Sequence, residues 1–334
     1  MNHRFHRRSL AVALTAQMAL AALSLTPAAQ AQQADYPRKQ PITLVVPYPA
    51  GGANDAVAWL VGQKLGEQLK QQVVIDNRPG AGTTIGVAAV AKAPADGYTL
   101  VLGSLASHAV SPHLYAKPGY QPITDFAPIG MIGQAPIVVI VAKESPYTDL
   151  KSLVEAARKK PGMLSYGSSG NGSPLHLAGE LFKQAAGIQV NHIPYKGGSA
   201  HTMDLIGGRL DVILDTATSA VPMMKGDKVR ALAVAAPARL ADFPSVPTFA
   251  ESGYPGFEVN AWYALYAPAL TPRDIVARLS AELVKVLEQP EVVAKLAALA
   301  VRTTAGSPQD LAKFTQSEFD KYGKLISAGN IRID

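Results

Sequence analysis

The stretch Pro41-Ile-Thr-Leu-Val-Val-Pro-Tyr-Pro-Ala-Gly-Gly-Ala-Asn-Asp55 constrains the fold of this chain more than any other. Residues 42–46 are a short apolar run rich in β-branched side chains and bounded by prolines, which reads as a buried strand. Pro47 cannot continue a central ladder, so the strand stops there and the chain turns. Gly51 and Gly52 accept backbone angles that other residues resist, and they carry no Cβ to block a ligand. Beyond the turn, Val57, Leu60, Val61, Leu65 and Leu69 recur at helical spacing, with Asn54 or Asp55 suited to cap the helix. Strand, glycine turn and helix N-terminus together collect free N–H donors at the positive end of a helix dipole. The turn has neither the lysine of a phosphate-binding P-loop nor the spacing of a dinucleotide fingerprint. Its expected guest is a small carboxylate or similar polar group.

The same unit recurs. Residues 73–76 read as a second strand, 83–92 as an alanine-rich helix, 98–102 as a third strand and 103–107 as the loop after it. This β-α-β-α-β order implies a parallel sheet with right-handed crossovers. The turn after residue 47 and the 103–107 loop then open at one carboxyl edge, where ligands of such sheets bind. Residues 125–131 break the rhythm and 137–141 form a strand, after which the alternation restarts. A helix at 150–160, strands at 164–167, 190–193, 212–214 and 230–235, and a helix from Pro174 capped by Ser173 follow. The glycine-rich 168–173 loop repeats the logic of the first turn. A proline-rich connection at 244–255, an extended segment at 257–267 and helices starting near Pro272, Pro290 and Pro308 close the chain. Thr271-Pro-Arg-Asp274 and Ser307-Pro-Gln-Asp310 have the form of capping boxes. Helices without new strands bring the chain back onto the first half, so two segments cross between halves and make a hinge. The expected domains are 36–131 with 258–334, and 132–257.

Residues 1–31 read as a secretory signal. Arg4, Arg7 and Arg8 precede an uncharged apolar run at 10–25, and Ala29-Gln-Ala31 fits a cleavage site after Ala31. The run is shorter than the roughly 20 residues a bilayer span needs. Its removal takes away three arginines and no acid, which lowers the formal charge by three from +6. Nucleic acid is therefore a poor partner. The chain has no cysteine, so disulfide and thiolate chemistry are excluded.

Catalytic templates fit poorly. Gly167-Ser-Ser-Gly-Asn171 is not a nucleophile elbow, because its fifth residue is asparagine. Gly80-Ala-Gly82 with Gly86 misses the dinucleotide spacing. His108, His113, His176, His192 and His201 show no zinc spacing and read as capping, loop or packing residues. His108 is singled out because it follows the 103–107 loop. Asp55 either caps its helix or accepts from a ligand amide or ammonium, and Asp215 is poised similarly at the end of an apolar strand. Lys196 is either solvated or counters a second carboxylate. Trp59 and Trp262 read as core.

Pro47-Tyr-Pro-Ala-Gly-Gly-Ala-Asn-Asp55, Asn77-Arg-Pro-Gly-Ala-Gly82, Ala93-Pro-Ala-Asp-Gly-Tyr-Thr-Leu100, Ser168-Ser-Gly-Asn-Gly-Ser173 with His176-Leu-Ala-Gly-Glu180, and His192-Ile-Pro-Tyr-Lys-Gly-Gly198 resemble the Bug receptors. These are the extracytoplasmic solute-binding proteins of tripartite tricarboxylate transporters, and the resemblance runs from Tyr36 into the closing helices. It implies an α/β fold of the periplasmic-binding-protein type (type II), with two doubly wound β/α domains joined by two crossover strands around a ligand cleft. It implies a monomeric receptor, exported to the periplasm, that delivers a small carboxylate to membrane subunits, with no catalysis, cofactor or metal. The residues expected to meet the ligand are Tyr48, Ala50, Gly51, Gly52, Asn54 and Asp55 in the first loop. Ser104, Ser107 and His108 follow in the second. Ser168, Ser169, Gly170, Asn171, Gly172 and Ser173 form the third, with Tyr195, Lys196 and Asp215 beside it. No arginine lies in these loops, so a guanidinium clamp is not expected and the ligand carries few charges. The chain departs from the family at Thr83-Thr84, where members often carry glycine and asparagine. The alternative is an exported hydrolase using Ser168 or Ser169 with His176 or His192. An effector domain of a transcription regulator fits neither the export signal nor the lack of a DNA-binding segment before Tyr36.

Overall fold

In the computed structural model the run at 42–46 is a strand, β1 (Ile42–Val46), with all but Thr43 buried. The structure describes residues 36–171, 173–195, 200–328 and 331–332. Residues 1–40 and Pro41–Asp334 are separate bodies. The described part of the first, residues 36–40, is a turn, and the signal segment lies outside the described residues.

The second body begins as the alternation requires. β1 leads into α1 (Ala53–Leu69), then β2 (Val73–Asn77), a short 3-10 turn (Ala81–Thr83), α2 (Thr84–Ala91) and β3 (Thr99–Ser104). β1 lies between β2 and β3 and pairs parallel with both. Helix α1 is capped by neither Asn54 nor Asp55. Its N-cap is Gly52, and no side chain bonds to the cap. Nor are residues 103–107 a loop: β3 runs through Ser104 and the chain winds at once into a π-helical turn (Ala106–Val110) and α3 (Ser111–Leu114).

The largest departure from the sequence reading is β4 (Phe126–Ala142), 17 residues long. At about 3.3 Å per residue it is roughly 56 Å of extended chain, and it serves two groups of strands. Residues 126–136 pair antiparallel with β9 (Asn260–Pro268), and residues 137–142 pair antiparallel with β7 (Val212–Thr216) and β8 (Val229–Val234). Two register shifts along the β9 pairing, at Pro128/Gly130 and Met131/Gly133, disguise the strand in the sequence; bulges bend a strand and increase its twist. The remaining elements are α4 (Leu150–Lys159), β5 (Ser165–Ser168), α5 (Pro174–Ala186), β6 (Asn191–Pro194), α6 (Ala200–Ile206), α7 (Ala217–Lys225), α8 (Arg273–Glu288), α9 (Pro290–Ala298), β10 (Arg302–Thr303) and α10 (Pro308–Ala328). β10 is a strand among the closing helices and pairs with β4. The strand order is β2-β1-β3-β9-β4-β7-β5-β6.

Local chemistry sets the helix starts. Ser307 and Asp310 form the capping box expected of α10, each side chain accepting from the other's N–H at 3.0 and 3.1 Å. The box expected at Thr271 does not form, because the Thr271 hydroxyl donates to the Pro268 carbonyl and Pro272 is the cap. Apolar faces then close around three clusters. One gathers Leu153, Tyr166, Phe182 and Phe249, a second Leu105, Trp262, Tyr266 and Tyr322, and a third Ile140, Leu205, Ile213 and Val229. Each fully buried side chain of this size contributes about 1.5–3 kcal/mol. Trp262 is core as expected, but Trp59 is 57% exposed on α1. Among the described residues no helix is long and apolar enough to cross a membrane.

Candidate functional site

Parallel pairing puts the carboxyl ends of β1, β2 and β3 at one edge, and those of β5, β6 and β7 at one edge of their own group. The expected loops follow these ends. In the first, Asp55 is buried and bonds back to its own turn: Oδ2 accepts from the Gly51 N–H at 2.8 Å and Oδ1 from Asn77 Nδ2 at 2.9 Å. Asn77 also donates to the Tyr48 carbonyl. The Asp55 carboxylate therefore locks the turn to the end of β2. Gly51 holds φ +80° with open space where a Cβ would stand, and a Cβ on Gly52 would meet nothing nearer than the Pro49 carbonyl at 3.8 Å. Ala50 and Gly51 are exposed and Asn54 half-buried.

Tyr48 reaches from this loop to β3, its phenol 2.7 Å from Ser104 Oγ. Ser104 and Ser107 clasp each other: the Ser104 N–H donates to Ser107 Oγ at 2.9 Å and the Ser107 N–H to Ser104 Oγ at 3.3 Å. Behind them Ser107 Oγ lies 2.8 Å from His108 Nδ1, and the Tyr120 phenol donates to the Ser107 carbonyl. His108 is wholly buried, stacked on Tyr266 at 4.1 Å and tilted against Phe126 at 5.1 Å. Burial pushes its pKa down to about 3, so the ring is neutral. It braces Ser107 from the aromatic core. Burial also holds the Tyr48 and Tyr120 phenols above their ordinary pKa, and this pole carries hydroxyls and N–H groups.

In the third loop Ser168 ends β5 fully buried, its Oγ 2.7 Å from His192 Nε2 and accepting from the Gly170 N–H at 3.1 Å. Ser173 caps α5 as expected, accepting from the His176 N–H. His176 stacks on His192 with centroids 4.0 Å apart, and burial lowers the pKa of both. Ser169 and Gly170 are half-buried and Asn171 is exposed. Gly172 and Lys196 lie outside the described residues. The Tyr195 phenol is spent on Asp204 at 2.6 Å. Asp215 is buried, its Oδ1 accepting from the Thr216 N–H at 2.7 Å and its Oδ2 lying 3.3 Å from His201 Nε2.

The residue that ties the two groups together was missed in the sequence. Tyr263 on β9 is opposite Ser104 in register and opposite Gly133 on β4. Burial raises its phenol to about 12, with the Asp215 charge adding to the rise; Tyr263 in turn raises Tyr48. Tyr120 and His201, which contact Ser107 and Asp215, were not among the expected ligand residues either. The only signal for Tyr263 was its place in the extended crossing segment. A separate groove of about 550 Å³ lies at the far end of β4, lined by Lys143, Tyr147, Asp211, Asp227 and Lys228, away from all these loops. No cluster of metal-binding side chains occurs among the described residues.

Ser168 and His192 have the spacing of a nucleophile and its base. Ser168 is fully buried, however, and its oxygen is occupied by the Gly170 N–H. Two strand groups threaded by shared strands, with polar loops at the carboxyl edges, define a solute-binding receptor of the periplasmic-binding-protein fold. The chain belongs to the tripartite tricarboxylate transporter receptor family, whose model matches residues 57–331. That family comprises solute-binding receptors and not enzymes, and the likeness to the Bug receptors holds. The chain is 41% identical over 302 residues to a protein of Pseudomonas sp. strain P51 encoded in the tcbD-tcbE intergenic region, covering 90% of each. It is 36% identical to a Rhodopseudomonas palustris protein solved with adipate, with TM-score 0.85 over 89% of this chain and 99% of that one. MatC from the same organism, solved with bound malate, is 32% identical with TM-score 0.81, over 86% of this chain and 99% of that one.

Proposed function

We propose that the chain captures a small organic carboxylate between the loops of its two strand groups and delivers it to the membrane subunits of a tripartite tricarboxylate-type transporter. The observation that carries this reading is the convergence of uncharged donors at the carboxyl edges. The glycine turn after β1, the Tyr48–Ser104–Ser107 clasp and the Ser168–Gly170 loop are each pre-set by internal bonds. Donors already oriented need little reorganisation on binding, and a carboxylate is what N–H groups and hydroxyls at helix starts favour. The adipate and malate of the two relatives fit this chemistry. Residues 36–131 with 258–334 form one domain of the receptor and 132–257 the other, and the protein acts as an exported monomer with its signal removed after Ala31. Nucleic acid is not a partner.

A thermal-shift screen of the mature chain against mono-, di- and tricarboxylates tests the reading. A true ligand at 100 times its Kd adds about 2.7 kcal/mol, which raises Tm by several degrees. Amides and esters of the same compound do less, and the acid is recovered unchanged. A broad acid panel without any shift refutes carboxylate capture.

A further inference from the structure

The third loop is governed by a ring on the neighbouring strand. β5 and β6 pair parallel, with Tyr166 opposite His192. Side chains two apart on a strand share a face, so Tyr166, Ser168 and His192 meet on one side of this pair. The His192 ring stacks on Tyr166, with centroids 4.8 Å apart and planes at 27°, and on His176 of α5, at 4.0 Å and 11°. The Tyr166 phenol donates to Glu180 at 2.7 Å, and Lys183 bonds to Glu180 at 2.8 Å. The plane of the His192 ring is therefore set by its stacking neighbours, independently of Ser168.

Ser168 Oγ has three polar contacts. It donates to the Gly170 carbonyl at 3.1 Å, accepts from the Gly170 N–H at 3.1 Å and lies 2.7 Å from His192 Nε2. A serine hydroxyl has one proton and two lone pairs. The carbonyl can only accept, so it takes the proton, and the Gly170 N–H takes one lone pair. The other lone pair faces His192, and all three contacts close only when Nε2 carries a proton. A ring protonated on Nδ1 alone would draw the Ser168 proton to itself and strip the Gly170 carbonyl of that bond. Burial lowers the His192 pKa to about 4, so the ring is neutral at neutral pH and holds a single tautomer. Gly170 is then fixed from both its N–H and its carbonyl, which also accepts from the Ser173 N–H at 3.1 Å. Its φ is +128°, and a Cβ there would stand 2.9 Å from the Tyr195 carbonyl. Ser168 is fully buried with its hydroxyl saturated. The accessible part of the loop is Ser169 and Gly170, half-buried, and Asn171, exposed.

We infer that His192 is a positioning residue of the ligand site: its Nε2–H holds the Ser168 hydroxyl in the one orientation that locks Gly170, and so presents Ser169 and Asn171 to the bound acid in a fixed geometry. The inference rests on the carboxylate-receptor reading above. Neither His192 nor Ser168 touches the acid. They remove the cost of ordering the loop when the acid arrives. The same tautomer makes Nε2 a donor to Ser168, the reverse of what a general base for that hydroxyl requires.

The test uses the full mature chain with His192→Gln and His192→Leu. Glutamine reaches the Nε2 position with an N–H donor, leucine has none, and both lose the ring stacking. Calorimetric titration uses malate, adipate and whichever acid of the panel above raises Tm most. His192→Gln binds within about threefold of the parent and His192→Leu at least tenfold more weakly, while the two variants melt within a few degrees of each other. Equal affinities in the two variants, or a His192→Leu chain within twofold of the parent, overturn this inference alone, since ring packing would then be all that His192 supplies. A second readout needs no acid. In a nitrogen–proton correlation spectrum of the parent with isotope-labelled histidine at neutral pH, His192 appears as the Nε2–H tautomer. The Nδ1–H tautomer overturns the inference even if neither variant folds. If no acid of the panel binds the parent, the receptor reading falls and the role in capture falls with it.

Discussion

Acid should destabilise the protein through His108, and the size of the effect follows from its burial. The ring is fully enclosed, stacked on Tyr266 at 4.1 Å and bonded through Nδ1 to Ser107. Burial holds its pKa near 3, against 6.5 for an ordinary histidine. The folded chain therefore refuses a proton that the unfolded chain accepts below pH 6.5. Stability is fully present above that pH and falls as pH drops from 6.5 toward 3. Between pH 6.5 and 4.5 the difference spans two pH units at about 1.36 kcal/mol each, roughly 2.7 kcal/mol in all. At about 2–4 °C per kcal/mol the loss in Tm is roughly 5–10 °C. The assay compares the drop in Tm between pH 7 and pH 4.5 in the parent and in His108→Phe, which keeps an aromatic ring but cannot titrate. His176 and His192, whose pKa values burial also lowers, act with the same sign in both chains and cancel in the comparison. The parent should lose the additional 5–10 °C. Equal drops in the two chains would refute the claim that His108 is held neutral in the core.

Two further outcomes follow from the loops and the leader. The Cβ of Gly52→Val finds no clash, since it meets only the Pro49 carbonyl at 3.8 Å, so the fold should hold while carboxylate affinity falls at least tenfold; a folded variant with unchanged affinity by calorimetry removes this turn from the site. N-terminal sequencing of periplasmic material should begin at Gln32, and a mature chain that keeps Arg7 in the membrane fraction counts against export.

Elements governed by neighbours in the chain were readable without a structure. β1 is visible in its β-branched run between prolines, α5 in Ser173 followed by Pro174, and α10 in the Ser307/Asp310 box, because each depends on groups within four residues of one another. The anchoring of the site was less legible. Asp55 looked like a cap or a ligand contact, yet both its oxygens are taken by Gly51 and Asn77. The loop expected at 103–107 became the end of a strand and a π-helical turn because Tyr48, 56 residues away, and the aromatic core around His108 settle Ser104 and Ser107.

The sequence by itself determined the alternation of strands and helices, the glycine turns at the strand ends and an uncharged set of donors in the loops. Only the tertiary structure decided that β4 is one long strand, since its identity rests on pairing with β9, β7 and β8, which lie far off in the chain and impose three register shifts, two along β9 and one along β8. The same holds for Ser168 against His192 and for Tyr263 between the two strand groups. Helical periodicity and capping are written in adjacent residues, whereas the partner of a strand or of a buried hydroxyl is chosen by whatever the fold brings beside it.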